Sequence, residues 1–332
     1  MRKKTLVLAA LLCAALAALC ACKSSAQTVP ETTAQEVDWP RERLALNEDG
    51  VPMLEVYVVG EEQLKTMDVE TYVQGVLAGE MKNDWPLEAL KAQAILARTF
   101  VLKFVSEKQS RYPGADISTD IEEAQAYDAA AVNDRIRQAV RETRGQVLAC
   151  EGELPYAWFH AHAGGVTELA KVGLGWEGEE PAYTQVTDGR EPEAVDGADA
   201  QALLDAQAWE ATFTAEEFEA ACAKSGVEIM LDNDSQLSIA QRGASGRAEV
   251  VEVDGRPVNA ASLRIALGST KMRSTLLTSL RIENSDVVMA GKGYGHGVGM
   301  SQWGAYAMAS EGAKAADIVT HYFRNVEIVS LW

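Results

Sequence analysis

The sequence predicts an α+β fold. Three observations point there. Adjoining segments near the start of the body carry apolar residues at three- and four-residue spacing. Short strand-like runs are scattered through the remainder. The two kinds of element follow one another without the regular alternation that a doubly wound parallel sheet needs. With 332 residues, 47% hydrophobic and 24% charged, the chain can bury a large core or two lobes around a cleft. It shows no internal repeat and no second hydrophobic span.

Taken in order, Arg2-Lys3-Lys4 precede an uncharged apolar run from Leu6 to Cys22, the pattern of a secretory signal. The run is short for a spanning helix of ~20 residues. Leu19-Cys20-Ala21-Cys22 resembles a lipobox, with Cys22 as the lipidation site. Residues 1–22 therefore read as a signal peptide of lipoprotein type, the alternative being an uncleaved membrane anchor. Either attaches the body to the outer face of the cytoplasmic membrane. Residues 23–50 hold much Ser, Thr and Gln without periodicity, the composition of a flexible tether, and the globular body is expected over 51–332. The formal charge of −19 becomes −22 once Arg2, Lys3 and Lys4 leave. Such acidity argues against nucleic acid and against electrostatic attachment to anionic polymers, so recognition should depend on a shaped groove.

In the body, the spacing predicts a helix over 68–81, capped by Asp68, with Val69, Tyr72, Val73, Val76 and Leu77 as its apolar stripe. Glu80 continues that stripe four residues past Val76. A carboxylate there either frays outward or sits in a partly dry cleft, where desolvation raises its pKa above roughly 4.3. A second helix is expected over 86–106, opened by Pro86, which suits a first helical position. Leu87, Leu90, Ala94, Val101 and Leu102 form its buried stripe. Lys91 and Arg98, seven apart, border that stripe on one side, where cations either snorkel outward or form a charge cluster. Further helices are expected at 119–142, 214–224, 301–311 and 315–323. Strands are expected at 54–59, 146–149, 156–161, 236–241, 247–253, 278–283, 286–290 and 326–329.

The run Gly291-Lys-Gly-Tyr-Gly-His-Gly-Val-Gly-Met-Ser-Gln-Trp-Gly304 holds six glycines in fourteen residues. That density costs backbone entropy, and its usual reward is close approach to a ligand along a path that side chains would block. It is not a nucleotide loop, because no Gly-Lys-Ser/Thr follows a strand. A carbohydrate or peptide lying across exposed amides, with His296 and Gln302 as polar fingers, fits better. Trp303 should pack below the loop. Cys150 and Cys222 are the cysteines of the mature body; they can form one disulfide, though free buried thiols are the simpler expectation.

Several motifs in one order carry a resemblance. Gly75-Val-Leu-Ala-Gly-Glu80-Met, Trp85-Pro-x-Glu-Ala-Leu-Lys-Ala-Gln-Ala, Ala97-Arg98-Thr, Phe159-His160-Ala-His-Ala-Gly-Gly165-Val-Thr167-Glu168 and the closing Gly-His-Gly-Val-Gly-Met-Ser-Gln-Trp-Gly-Ala resemble the stage II sporulation protein D family (SpoIID/LytB). The match runs from about Leu54 to Trp332. The resemblance implies a lytic transglycosylase acting on peptidoglycan glycan strands stripped of stem peptides by a partner amidase, during engulfment of a forespore. It makes Glu80 the catalytic acid and Lys91 and Arg98 substrate-positioning residues. His160, Tyr183, His296, Ser301 and Gln302 are groove candidates. Some relatives hold zinc through a Cys/His set near the Gly-Gly-x-Thr motif. Here His160 and His162 have no second cysteine beside them, so no metal or other cofactor is expected. The alternative reading, suggested by the family's amidase-enhancer label, is a non-catalytic wall-binding module that stimulates an amidase. It keeps the groove but does not need Glu80 as an acid.

Overall fold

The computed structural model describes residues 37–332. The expected signal peptide, Cys22 and the first half of the expected tether (23–36) lie outside the described residues. Helices and strands are mixed without alternation, in agreement with the α+β expectation. Strand β1 (Met53–Val58) pairs antiparallel with β2 (Gln63–Asp68) and parallel with β3 (Ile117–Ser118). Helix α1 (Val69–Glu80) leaves β2 directly, and the Asp68 side chain caps it by accepting from the Thr71 amide at 2.9 Å. Helix α2 (Leu87–Glu107) follows after a short turn, and α3 (Asp134–Glu142) is capped by Asn133.

Two hydrophobic cores organise the body. The first gathers α1, α2, α3 and the strand Gln146–Ala149, then recruits the last part of the chain from Met300 to Phe323. That return is fixed by two pairings. Phe159–His160 runs parallel to Met300–Ser301, and Gln146–Ala149 runs antiparallel to Glu327–Ser330. The second core is built from residues between Trp209 and Met289. It lies among two three-stranded antiparallel sheets and the helices Ala215–Lys224 and Ala260–Leu267.

Where structure departs from expectation, the reasons are local. The helix expected over 119–142 is confined to Asp134–Glu142. Before it, Asp120 accepts from the Glu122 amide and Asp128 from the amides of Ala130 and Ala131. These short side chains hold the backbone in turns that compete with a helix. Gln63–Asp68 lacks an apolar alternation and is strand only through its register with β1, Met53 opposite Asp68. Ala208–Phe213 did carry a signal, because Trp209 and Phe213 are buried and the residues between alternate. The strand expected over 156–161 shrinks to Phe159–His160. Residues 37–50 are packed instead of tethering loosely. Val37 and Leu44 enter the first core, and Arg43 donates to the Val105 carbonyl at 2.6 Å. Cys150 and Cys222 are both free and buried.

Candidate active site

Glu80 is the last residue of α1 and is half-buried. Its place is set by the two glycines before it on the same helix. A Cβ on Gly79 would stand 2.6 Å from the Tyr127 nitrogen and 2.7 Å from the Ala126 carbonyl carbon, and one on Gly75 would enter the Tyr127 ring. Because neither has a side chain, the loop 125–128 lies directly on the helix. The Asp128 amide then donates to the Gly75 carbonyl at 2.9 Å, and the Ala126 amide donates to Glu80 Oε1 at 2.7 Å. From the other side Gln302 Nε2 donates to the Glu80 carbonyl at 3.2 Å. Desolvation dominates the electrostatics and lifts the Glu80 carboxyl from 4.5 to about 7, against the lowering influence of the Ala126 amide and the Gln302 side chain. No second carboxylate is among the groups that set its acidity.

The structure brings Glu80 and Gln302 together and takes Lys91 and Arg98 elsewhere. Lys91 is paired with Glu88 at 3.0 Å and with Glu142 at 2.6 Å. Arg98 is fully buried, its guanidinium gripping Glu70 through Nε at 3.1 Å and NH2 at 2.6 Å while NH1 donates to the Gln146 carbonyl at 2.8 Å. Glu70 also accepts from the Gly145 amide and from Trp332 Nε1. Arg98 is therefore the hub that joins α1, α2 and the end of the chain, with no face left for substrate. Neither cation is among the groups that act on the Glu80 carboxyl, where a positive charge would favour its anion.

The glycine-rich loop uses its backbone freedom differently from expectation. Gly293, Gly295, Gly297 and Gly299 all have positive φ. What comes close is the protein itself. A Cβ on Gly295 would stand 2.6 Å from the His160 Cβ, and one on Gly297 would enter the guanidinium of the fully buried Arg247. Arg247 in turn donates to the Ala163 carbonyl at 2.7 Å and to the Val166 carbonyl at 3.2 Å. His160 is buried, its Nδ1 3.1 Å from the Val298 carbonyl. His296, half-buried, accepts from the Val298 amide at 3.1 Å and meets His160 edge-on at 5.6 Å. Burial pushes His296 down to about 3 and His160 well below its ordinary value, so both rings are neutral at physiological pH. His162 spends Nδ1 on the Gly164 amide. Ser301 is buried as the cap of the helix Gln302–Ser310, accepting from the Gly304 amide and donating to Glu191 Oε1 at 2.7 Å. His160 and Ser301 thus shape the loop from inside. Trp303 is buried in the first core and packs 4.7 Å from Trp85. Tyr183 lies in a separate aromatic pocket, where its hydroxyl accepts from the Tyr156 amide.

Sequence reasoning missed the Ala126 amide, because a helix over 119–142 would have consumed it. The signal that could have found it was Asn133, a good helix cap immediately before Asp134.

Glu80 thus presents a desolvated carboxyl lifted to about 7, with the Ala126 amide on one of its oxygens. The family model described as "Stage II sporulation protein" matches residues 58–149, the segment that carries α1, α2 and the Ala126 loop. A second, described as a domain of unknown function, matches residues 194–299. An uncharacterised protein of Brachyspira hyodysenteriae is 30% identical over 265 residues, covering 79% of this chain and 67% of that protein. The stage II sporulation protein D of Bacillus amyloliquefaciens is 29% identical, covering 82% of this chain and 77% of its own. The amidase enhancer of Bacillus subtilis is 26% identical, over 78% of this chain and 40% of its own length. The chain belongs to the SpoIID family.

Proposed function

We propose that this protein is a peptidoglycan lytic transglycosylase with Glu80 as its one general acid–base. The observation that carries the reading is the Glu80 carboxyl raised to about 7 by desolvation, with no second carboxylate among the groups that set its acidity. Ordinary glycosidases need two carboxylates, one acid and one nucleophile or base. A muramic acid ring can dispense with the second, because its own C6 hydroxyl attacks C1 and the nucleophile is already tethered. Glu80 first gives its proton to the departing glycosidic oxygen as the C1–O bond breaks. The resulting carboxylate, favoured by the Ala126 amide, then takes the C6 hydroxyl proton as O6 bonds to C1. Atoms balance without water, and Glu80 ends protonated. Acid–base assistance of this kind contributes roughly 10²- to 10⁴-fold.

Binding falls to the surface around the half-buried Glu80, beside Gln302. We place the protein outside the cytoplasmic membrane, attached through a lipid on Cys22 or an uncleaved signal, with an amidase supplying peptide-free strands in sporulation. The amidase-enhancer reading keeps the surface but leaves the pKa of Glu80 without a task. Peptide-free strands incubated with wild type and with Glu80→Gln separate the two. Binding by both, with new chain ends from wild type alone, is expected; intact strands under wild type, together with a faster partner amidase, would favour the enhancer.

A further inference from the structure

We infer that the aromatic cluster of Tyr156, Trp158 and Trp176 is an accessory sugar subsite, built for an uncharged N-acetylhexosamine ring of the glycan strand; it rests on the glycan reading above. All three rings are half-buried, yet none packs into either hydrophobic core. They pack on one another instead. Tyr156 and Trp158 stack at 5.2 Å and 10°, and Trp176 meets them edge-on at 5.2 and 5.4 Å. Large aromatic surface left outside a core marks a binding site more often than a folding unit. Tyr156, Trp176, Pro181 and Tyr183 line a concavity of about 330 Å³, within the range of small-ligand pockets, which begins near ~300 Å³.

The surrounding charges choose the occupant. Glu151, Glu153 and Glu179 line the concavity beside Lys103, whose charge is met by Glu107, so the balance disfavours a carboxylated sugar or a peptide acid. A cation is disfavoured as well, because the ring is already served: Lys103 Nζ stands 5.1 Å over Tyr156 and Lys108 Nζ 6.0 Å. What remains is a neutral ring with apolar faces for the aromatics and hydroxyls for carboxylate acceptors. The platform is held rigid. The Tyr156 hydroxyl donates to Glu107, whose other oxygen binds Lys103 at 2.6 Å, and the Tyr156 amide donates to the Tyr183 hydroxyl at 3.0 Å. It is also tied to the acid. The Trp158 carbonyl accepts from the Met300 amide at 3.1 Å, and Gln302, two residues on, touches Glu80. Tyr156 bonds Glu107, the last residue of α2, whereas Glu80 lies just before its first turn, so platform and acid stand on the order of 20–30 Å apart along that helix, a separation that a linear strand of several rings bridges.

The test is calorimetric titration, in the Glu80→Gln background, with an uncharged N-acetylglucosamine tetramer and with peptide-free strands. Trp176→Ala should weaken the tetramer about tenfold, and Trp176→Phe, which keeps an aromatic face, less than about threefold. Independently of any substitution at the platform, the indole N–H resonances of Trp158 and Trp176 should shift as the tetramer is added. Unshifted indoles, or equal affinities across folded variants, would overturn the subsite while leaving the Glu80 reading intact. Failure of the unsubstituted platform to bind either saccharide would overturn both.

Discussion

Replacing Glu80 by glutamine keeps the side chain's shape and removes its titration, so it exposes what burial of this carboxyl costs. In the folded chain desolvation raises the group from 4.5 to about 7; in the unfolded chain it titrates near ~4.3. Between those values the native state holds a proton that the unfolded state has released, so stability falls as pH rises through this window. At 1.36 kcal/mol per unit the full penalty above pH 7 is roughly 3.5 kcal/mol, and solvent reaching the half-buried carboxyl reduces it to ~2 kcal/mol. The amide carries no such penalty. The stability difference between Glu80→Gln and wild type should therefore be constant below about pH 4.5 and grow in the variant's favour up to about pH 7.5, by roughly 3 °C in melting temperature. Thermal unfolding of both proteins by circular dichroism from pH 4 to 9 reads this directly. A difference that stays flat from pH 4.5 to 8 would show that Glu80 titrates normally, and the argument from desolvation would fail.

Other perturbations test the parts around it. Gln302→Ala removes a group that favours the Glu80 anion, a hydrogen bond of about 0.5–1.5 kcal/mol. The alkaline limb of the pH–rate profile should then move up by roughly 0.5–1 unit; an unmoved limb would detach Gln302 from the acid. Gly79→Ala places a Cβ against the Ala126–Tyr127 backbone, costing about 1–3 kcal/mol in unfolding free energy, and should lower product yield by displacing the amide from Glu80. Wild-type melting and yield would show that the loop need not sit there. Arg98→Ala leaves Glu70 without its bidentate partner and should lose about 3 kcal/mol or more, with Arg98→Lys recovering only part because a point charge cannot make both bonds. A stable Arg98→Ala protein that binds strands poorly would return Arg98 to the substrate.

The elements that announce themselves locally were legible. The Asp68 cap and apolar stripe placed α1 within one residue at each end, and the stripe of α2 did the same. Glu80 could be singled out because it is a charge at an apolar position. What stayed hidden was whatever depends on partners distant in sequence. Gly75 and Gly79 give no sign that Tyr127 will lie on them, and the Ala126 amide is invisible until that loop is known to be irregular. Arg98 looked like a groove cation because sequence cannot show Glu70 arriving from α1. The glycine-rich run was recognised as a close approach, but pattern alone could not say that its neighbours would be His160 and Arg247 and not a ligand. Backbone approach to a ligand and to the protein's own interior demand the same glycines.

The measurement that bears most directly on the account is mass spectrometry of peptide-free glycan strands after incubation with wild type and with Glu80→Gln. Cleavage without water predicts 1,6-anhydro-muramyl ends from wild type and intact strands from the variant. Reducing ends would mean that water attacks C1 and that a second carboxylate must serve it, contradicting a site with one acid.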